Sequence, residues 1–211
     1  MKRRDFGLGL AVASPLLART AWATVEPVEG KHYTRLQQPM QVAAPGKIEV
    51  IEFFGYWCPH CRTLEPVLEA WARKLRADVS FRRVPVSWKP GQEPYQRLYF
   101  ALESLGVGAG THQKVFEAVQ LKGMRLELPA ALAAFASANG IDGKKLADAM
   151  GGFAVASKAR LAAQTASTYR IDSVPALAIH GRFMTSPAMA GGDEAALQVA
   201  DALIRKAKTA R

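Results

Sequence analysis

The order of elements along this chain predicts an α/β protein whose strand-and-helix layer is interrupted by an all-helical block. Three observations lead there. An almost continuous apolar run, Ile48 to Phe54, is followed by a helical pattern and then by a second strand-like run, Val79 to Val86. Short helical patterns then succeed one another from Tyr95 to Met150 with no strand among them. Strand character returns at Ala176, and the chain closes on an amphipathic helix. A strand–helix–strand order suits a parallel βαβ unit, because parallel neighbours need a long crossover.

Each element has a local reason. Thr24 to Gly46 is polar and Pro-punctuated, an extended lead-in with room for a short edge strand. Ile48 to Phe54 is rich in β-branched and aromatic residues, as a strand covered on both faces requires. Within it Glu49 reads as a half-exposed residue. Gly55-Tyr56-Trp57 breaks the run. A helix is expected from Cys58-Pro59 to about Arg76, since proline is at home in a first helical turn. Leu64, Val67, Leu68, Trp71 and Leu75 stand at helical spacing in it, and Pro66 removes one of its backbone hydrogen bonds. Tyr95–Leu105, His112–Leu121, Pro129–Ala138 and Lys144–Met150 read as helices separated by glycines, with Asp142 a suitable cap. Phe153–Tyr169 is an Ala-rich longer helix. Ala176–Ile179 and Phe183–Thr185 flank His180-Gly181-Arg182, a hairpin turn. After Gly191-Gly192-Asp193 the last helix carries Leu197, Ala200, Leu203 and Ile204 on one stripe. The α/β layer thus occupies residues 24–90 and 157–211, and residues 91–156 form the helical insertion.

Length and composition fit one domain with an insertion. The 211 residues are 49% hydrophobic, enough for a sizeable core and against overall disorder. Residues 1–23 read as a secretory signal. Lys2, Arg3 and Arg4 give a basic start, Phe6 to Ala18 an apolar stretch, and Ala21-Trp22-Ala23 the small residues of a cleavage site, with cleavage after about Ala23. The stretch falls short of the roughly 20 apolar residues that span a bilayer; an uncleaved anchor is the alternative. Arg3-Arg4-Asp5-Phe6 also resembles a twin-arginine export signal. The formal charge is +10, and four basic residues and one acid of the signal leave the remainder near +7. Those basic residues are scattered, with no dense run interleaved with aromatics, which argues against nucleic-acid binding.

Cys58 and Cys61 are the only cysteines. A loop this short contributes little as a staple, so the pair reads as chemistry. At a helix start, residues three apart share a face, about 5–6 Å between Cβ atoms, which permits a disulfide. Cys58 would meet the unpaired N–H groups and the positive end of the helix dipole, which lower a thiol pKa. Cys61, one turn inside, would be more buried. Cys58 therefore exchanges with substrate and Cys61 resolves the mixed disulfide. His60 can offer a donor or a charge to the thiolate, and Pro59-His60 thereby bias the pair toward its reduced form, hence toward oxidising others. Half a zinc site is the competing reading. It lacks two ligands, because His32, His112 and His180 are dispersed and read as surface or turn residues. No metal and no cofactor is expected. Glu52 stands in the apolar strand six residues before Cys58. It is either half-exposed or a buried carboxylate of raised pKa that accepts a proton as Cys61 reacts; the residues alone leave both open. For Val174-Pro175, local sequence argues for a trans bond, since cis occurs in about 5–6% of X–Pro bonds.

Glu52-Phe53-Phe54-Gly55-Tyr56-Trp57-Cys58-Pro59-His60-Cys61, followed far downstream by Val174-Pro175-Ala176, resembles the DsbA family of periplasmic dithiol oxidases. Pro-His between the cysteines is that family's hallmark, and a low thiol pKa and strong oxidation are its known properties. The resemblance implies a thioredoxin fold with a helical insertion. It implies that Cys58 is the exposed nucleophile, Cys61 the resolving cysteine, His60 the thiolate stabiliser and Glu52 the buried acid. It implies that Pro175 is cis and faces the disulfide, and that Val174 docks substrate backbone. The family's basic residue near the buried acid would fall around Arg83, where arginine is not freely exchangeable for lysine.

The resulting expectation is a monomeric periplasmic oxidase. It would donate its Cys58–Cys61 disulfide to reduced exported polypeptides and be reoxidised by a DsbB-like membrane quinone reductase. A disulfide reductase or isomerase on the same fold is one alternative. A holdase that binds peptides in an apolar groove near Val174 is another.

Overall fold

The computed structural model describes residues 26–209, and the expected signal segment, residues 1–23, lies outside them. Five strands form one mixed sheet: β1 (Thr34–Arg35), β2 (Ile48–Phe54), β3 (Val79–Pro85), β4 (Ala176–Ile179) and β5 (Phe183–Thr185). Their order is β1-β5-β4-β2-β3. β2 and β3 are parallel, as the strand–helix–strand order requires, and β4 is antiparallel to both β2 and β5. The helices are α1 (Pro59–Ala72), α2 (Glu93–Ser104), α3 (Gly108–Gln120), α4 (Pro129–Ala138), α5 (Gly143–Gly151), α6 (Phe153–Thr168), α7 (Pro187–Ala190) and α8 (Asp193–Thr209). Helices α2 to α6 all fall between β3 and β4.

The central strand organises the core. All seven residues of β2 are buried, and its period of two sends alternate side chains to opposite layers. Ile48 and Val50 pack with Leu64 and Leu68 of α1 and with Leu197, Ala200 and Leu203 of α8. Ile51 and Phe53 pack with Ala162 and Ala166 of α6. Phe54, at the end of β2, belongs to a third cluster with Leu98 and Leu102 of α2 and Phe116 of α3, which joins the sheet to the inserted helices. The stripe expected on the last helix is the one that α8 buries. Asp142 caps α5, accepting from the Lys145 N–H at 3.0 Å.

Four differences from the sequence reading have physical causes. Helix α1 ends at Ala72, not near Arg76, because the bonds Lys74 N–H to Trp71 and Leu75 N–H to Ala72 tighten the chain into i→i+3 turns. Leu75 still packs on the core from that turn. Glu49, read as half-exposed, is only 1% exposed, covered by the lead-in. The Ala43 N–H and Arg82 Nε both donate to its Oε1, at 3.1 and 3.0 Å. The short helix α7 was not anticipated; Ser186 caps it by accepting from the Met189 N–H, and Gly191 ends it at positive φ. His112, read as a surface or turn residue, is buried at 4% exposure and belongs to the site below.

The hairpin between β4 and β5 turns through His180 and Gly181, both at positive φ, with the Arg182 N–H on the Ile179 carbonyl. That pair of conformations matches the twist of the flanking strands. Gly181 also lets the lead-in pass against the turn: its carbonyl accepts from the Met40 N–H at 2.7 Å, and a Cβ would collide with the Met40 carbonyl oxygen. Gly181→Ala is therefore expected to lower the unfolding free energy by about 1–3 kcal/mol, read as a reduced denaturant midpoint. An unchanged midpoint would show that the lead-in is not held by this turn.

Candidate active site

The turn Gly55-Tyr56-Trp57 delivers the chain from β2 into α1, and Cys58 is the N-cap residue of that helix. Its backbone is extended, with Pro59 helical just after it, and its Sγ accepts from the Cys61 N–H at 3.4 Å. The sulfur thus occupies the place that a serine or aspartate oxygen takes in an ordinary cap. The Cys58 thiol is lowered from 9.0 to about 6. A hydrogen bond from the Cys61 thiol is the largest cause; burial opposes it, and the backbone N–H groups of Cys61 and His60 help. The imidazole charge of His60 is the smallest contribution, so the thiolate rests on the helix terminus more than on the side chain expected to stabilise it. Burial and the neighbouring Cys58 sulfur push Cys61 far upward, and the Glu52 charge adds to this.

Cys58 is less open than the resemblance implied. It is 4% exposed against 0% for Cys61, so the difference is one of degree. Pro59 and His60 are exposed beside it. Both thiols are free in this structure. The Val174–Pro175 bond is cis, against the local prior and in line with the resemblance. The Val174 carbonyl faces Cys58 and accepts from its Sγ at 3.3 Å. A cavity of about 480 Å³ lies beside that loop, lined by Leu36, Met40, Tyr169, Ser173, Met184 and Met189, and includes neither cysteine.

Behind the thiols lies a buried charge cluster. Glu52 is fully buried on the face of β2 that looks toward α1, opposite Arg83 in the parallel register with β3. Arg83 donates from Nε to Glu52 Oε2 at 2.9 Å, and from one terminal nitrogen to Glu65 Oε1 at 2.8 Å and Glu69 Oε2 at 3.0 Å. Burial raises Glu52 from 4.5 to about 7 against the pull of Arg83, with Glu65 adding to the rise. Burial likewise raises Glu65 to about 7, Arg83 again opposing and Glu69 assisting. Of the two open readings of Glu52, the structure has the buried one.

Helix α3 closes this cluster from the inserted helices. His112 is enclosed by the rings of Phe54, Tyr56, Tyr99 and Phe116, with centroids 4.9–5.8 Å away. The Tyr56 hydroxyl and His112 Nδ1 are 2.7 Å apart. Two turns on, Gln120 Nε2 donates to the carbonyls of Tyr56 and Cys58 at 2.8 and 3.0 Å, and its Oε1 accepts from Arg62 Nε at 3.0 Å. Sequence reasoning missed Tyr56, Glu65, His112 and Gln120, and it reached Arg83 only through the resemblance, outside the residues assigned to the site. The available signal was local: His112, Phe116 and Gln120 recur at four-residue spacing, which sets two polar residues on a face that Phe116 buries.

Among the described residues, Glu52, Glu65 and His112 offer ligand atoms within 4.8 Å of one another. Arg83 already supplies a positive charge to both carboxylates there, and a second cation beside a buried guanidinium is disfavoured. A proton neutralises the pair at less cost. No helix among the described residues is long and apolar enough to cross a membrane.

Comparison with known proteins finds relatives of the same fold. The family model of the DSBA-like thioredoxin domain matches residues 78–203, and that of thioredoxin matches residues 32–92. The thiol:disulfide interchange protein DsbA of Bordetella parapertussis is 40% identical over 197 residues, covering 92% of this chain and 94% of its own. Its namesake from Azotobacter vinelandii is 37% identical over the whole of both chains. The crystal structure of Pseudomonas aeruginosa DsbA superposes with a TM-score of 0.82 at 36% identity, covering 86% of this chain and 94% of that one. The oxidoreductase DsbA from Xylella fastidiosa gives 0.80 at 30% identity, covering 88% and 100%. The α/β layer with its helical insertion is thus a thioredoxin fold of that kind.

The raised Glu52 pKa has a consequence for stability. Between pH 4.5 and 7 the folded protein holds a proton that the unfolded chain has released. Stability from this group is therefore complete below pH 4.5 and is lost as pH rises through 7. Glu52→Gln removes the titration. Denaturation of the dithiol form is expected to show the variant gaining on the wild type from pH 4.5 to 7.5; a constant difference would mean that Glu52 does not titrate there.

Proposed function

The chain belongs to the DsbA family of thiol:disulfide oxidoreductases and is a dithiol oxidase, and we propose that Cys58 carries its exchange, Cys61 resolves it and Glu52 moves the accompanying proton. The observation that carries this assignment is Cys58 Sγ in the cap position of α1, accepting the Cys61 N–H and facing the Val174 carbonyl.

The steps follow from that geometry. A substrate thiolate attacks Cys58 of the Cys58–Cys61 disulfide; a mixed disulfide forms and the electron pair of the broken bond leaves on Cys61. Burial makes a Cys61 thiolate costly, so it takes a proton from the neutral Glu52 carboxyl, which is left ionised against Arg83. A second substrate thiolate then attacks the substrate sulfur. The substrate leaves with its disulfide, and Cys58 leaves as the thiolate that the helix terminus stabilises. A stabilised leaving thiolate favours the reduced enzyme, which makes its disulfide oxidising. In reoxidation Glu52 takes the Cys61 proton back. A pKa of about 7 suits a group that must both give and accept near neutrality.

Val174 and Pro175 form the docking surface for extended substrate backbone, since the Val174 carbonyl lies 3.3 Å from the reacting sulfur. Pro59 and His60 present the exposed rim. Substrates are reduced exported polypeptides, and the two electrons pass to a membrane partner of the DsbB-like quinone reductase type. The protein acts in the periplasm as a monomer, its signal removed after about Ala23, with residues 91–156 as the inserted helical unit. The basic start and apolar run of residues 1–23 support export.

Trp57 adjoins Cys58, and its ring lies tilted at 58° against that of Trp88, with centroids 5.2 Å apart. Its fluorescence should report a glutathione-buffer titration of the mature protein. The expected midpoint is far more oxidising than the roughly −270 mV of thioredoxin, with Cys58 absorbance titrating near pH 6. A midpoint as reducing as thioredoxin's would favour a reductase. Activity that survives Cys58→Ser would favour a holdase.

A further inference from the structure

Glu52 and Glu65 compete for a proton. Both are buried carboxylates on one guanidinium, and only Glu52 lies on the strand that leads to the thiols. Which of them holds the proton decides whether it stands ready for Cys61. Their oxygens are not equivalent. Glu52 uses Oε2 on Arg83, and its Oε1 is buried with no partner. Glu65 uses Oε1 on Arg83, and its Oε2 faces His112 Nε2 at 3.3 Å. That contact is close but short of hydrogen-bond geometry.

Whether His112 faces Glu65 as a donor depends on its tautomer. Burial holds the Tyr56 phenol protonated, well above its ordinary range. Its O–H lies 2.7 Å from His112 Nδ1, the partner on hand for a buried donor. If Nδ1 accepts, Nε2 carries the hydrogen, 3.3 Å from Glu65 Oε2. Burial keeps the ring neutral down to about pH 3, so it acts as an N–H dipole and not as a cation. An N–H stabilises the carboxylate it faces relative to the acid. Glu65 then has Arg83 on one oxygen and a polarised N–H close to the other, while an ionised Glu52 would have nothing near Oε1.

We propose that His112 is a positioning residue that keeps Glu65 ionised and thereby directs the shared proton onto Glu52. This rests on the reading of Glu52 as the proton carrier for Cys61 and adds what places the proton there. The residue comes from α3, so the inserted helices take part in the chemistry of the α/β layer. Charged and titratable groups face His112 from every element packed around it. Arg83 approaches from β3, Glu65 and Glu69 from α1, Glu52 from β2, Tyr99 and Glu103 from α2, and Tyr56 from the turn before Cys58. A cavity of about 260 Å³ lined by Arg83, Tyr99, Glu103 and His112 gives the cluster an opening other than the thiols.

The test is a carboxyl titration by NMR of the dithiol protein with ¹³C-labelled glutamate, Glu52 and Glu65 being assigned from Glu52→Gln and Glu65→Gln. In the wild type, Glu52 should carry the step near pH 7 while Glu65 stays ionised through it. In His112→Leu the step should pass to Glu65, and the Glu52 midpoint should fall by about one pH unit, a tenfold change in its proton affinity. His112→Gln, which restores an N–H near the Nε2 position, should return the step to Glu52. An unmoved Glu52 midpoint in folded His112→Leu would overturn the proposal and leave Glu52 as the proton carrier. Absence of any Glu52 step in the wild type would overturn both. If His112→Leu does not fold, the ¹⁵N shifts of wild-type His112 decide: hydrogen on Nε2 supports the proposal, and hydrogen on Nδ1 refutes it.

Discussion

One largely buried guanidinium facing three carboxylates is the constraint on which the active site depends. Arg83 is 13% exposed, and Glu52, Glu65 and Glu69 all bond to it. Two fully ionised buried acids would exceed what one cation compensates, and desolvation makes the excess expensive. The arrangement resolves this by retaining a proton near neutral pH, where an exposed carboxylate would have lost it. The proton that we assign to the exchange is therefore a result of charge imbalance in a dry site. Such a cluster contributes little to net stability, because desolvation offsets most of the attraction. Its value lies in the proton it holds.

The sheet register brings those charges together. In the parallel pairing of β2 with β3, Glu52 stands opposite Arg83 and Ile51 opposite Arg82. Successive arginines on β3 point to opposite faces and meet different acids, Arg83 with Glu52 and Arg82 with Glu49. A slip of one residue would exchange the faces and leave both acids buried without their cations. The register that positions the hydrophobic core also positions Glu52 against Arg83.

The thiols are tuned by a different means. Cys58 uses a helix terminus, a local device, and its sulfur is a cap whose charged form the helix favours. Gln120 holds the carbonyls on either side of Trp57 and so keeps the entry to the helix in place. Both His112 and Gln120 belong to α3. The helical insertion therefore does more than cover the sheet: one of its helices supports the loop before Cys58 at one end and touches the proton pair at the other.

Much of this was legible in sequence because it is local. The strand from Ile48 to Phe54, the hairpin at His180-Gly181-Arg182 and the helix starting after Cys58 each follow from periodicity, turn chemistry and capping within a few residues. The spacing of Cys58 and Cys61 on one helical turn determined which sulfur caps the helix and which lies inside it. Tertiary structure decided what could not be read along the chain. Glu49 and Glu52 look alike in sequence, and both proved buried, because the lead-in at Ala43 covers one and α1 covers the other. His112 and Glu65 are 47 positions apart, and Tyr56 and His112 are 56, so no local pattern joins them. Sequence by itself determined which sulfur sits at the helix terminus, since a cap acts through its own backbone neighbours. Only the fold could set the proton, since burial and charge pairing are properties of what lies across space.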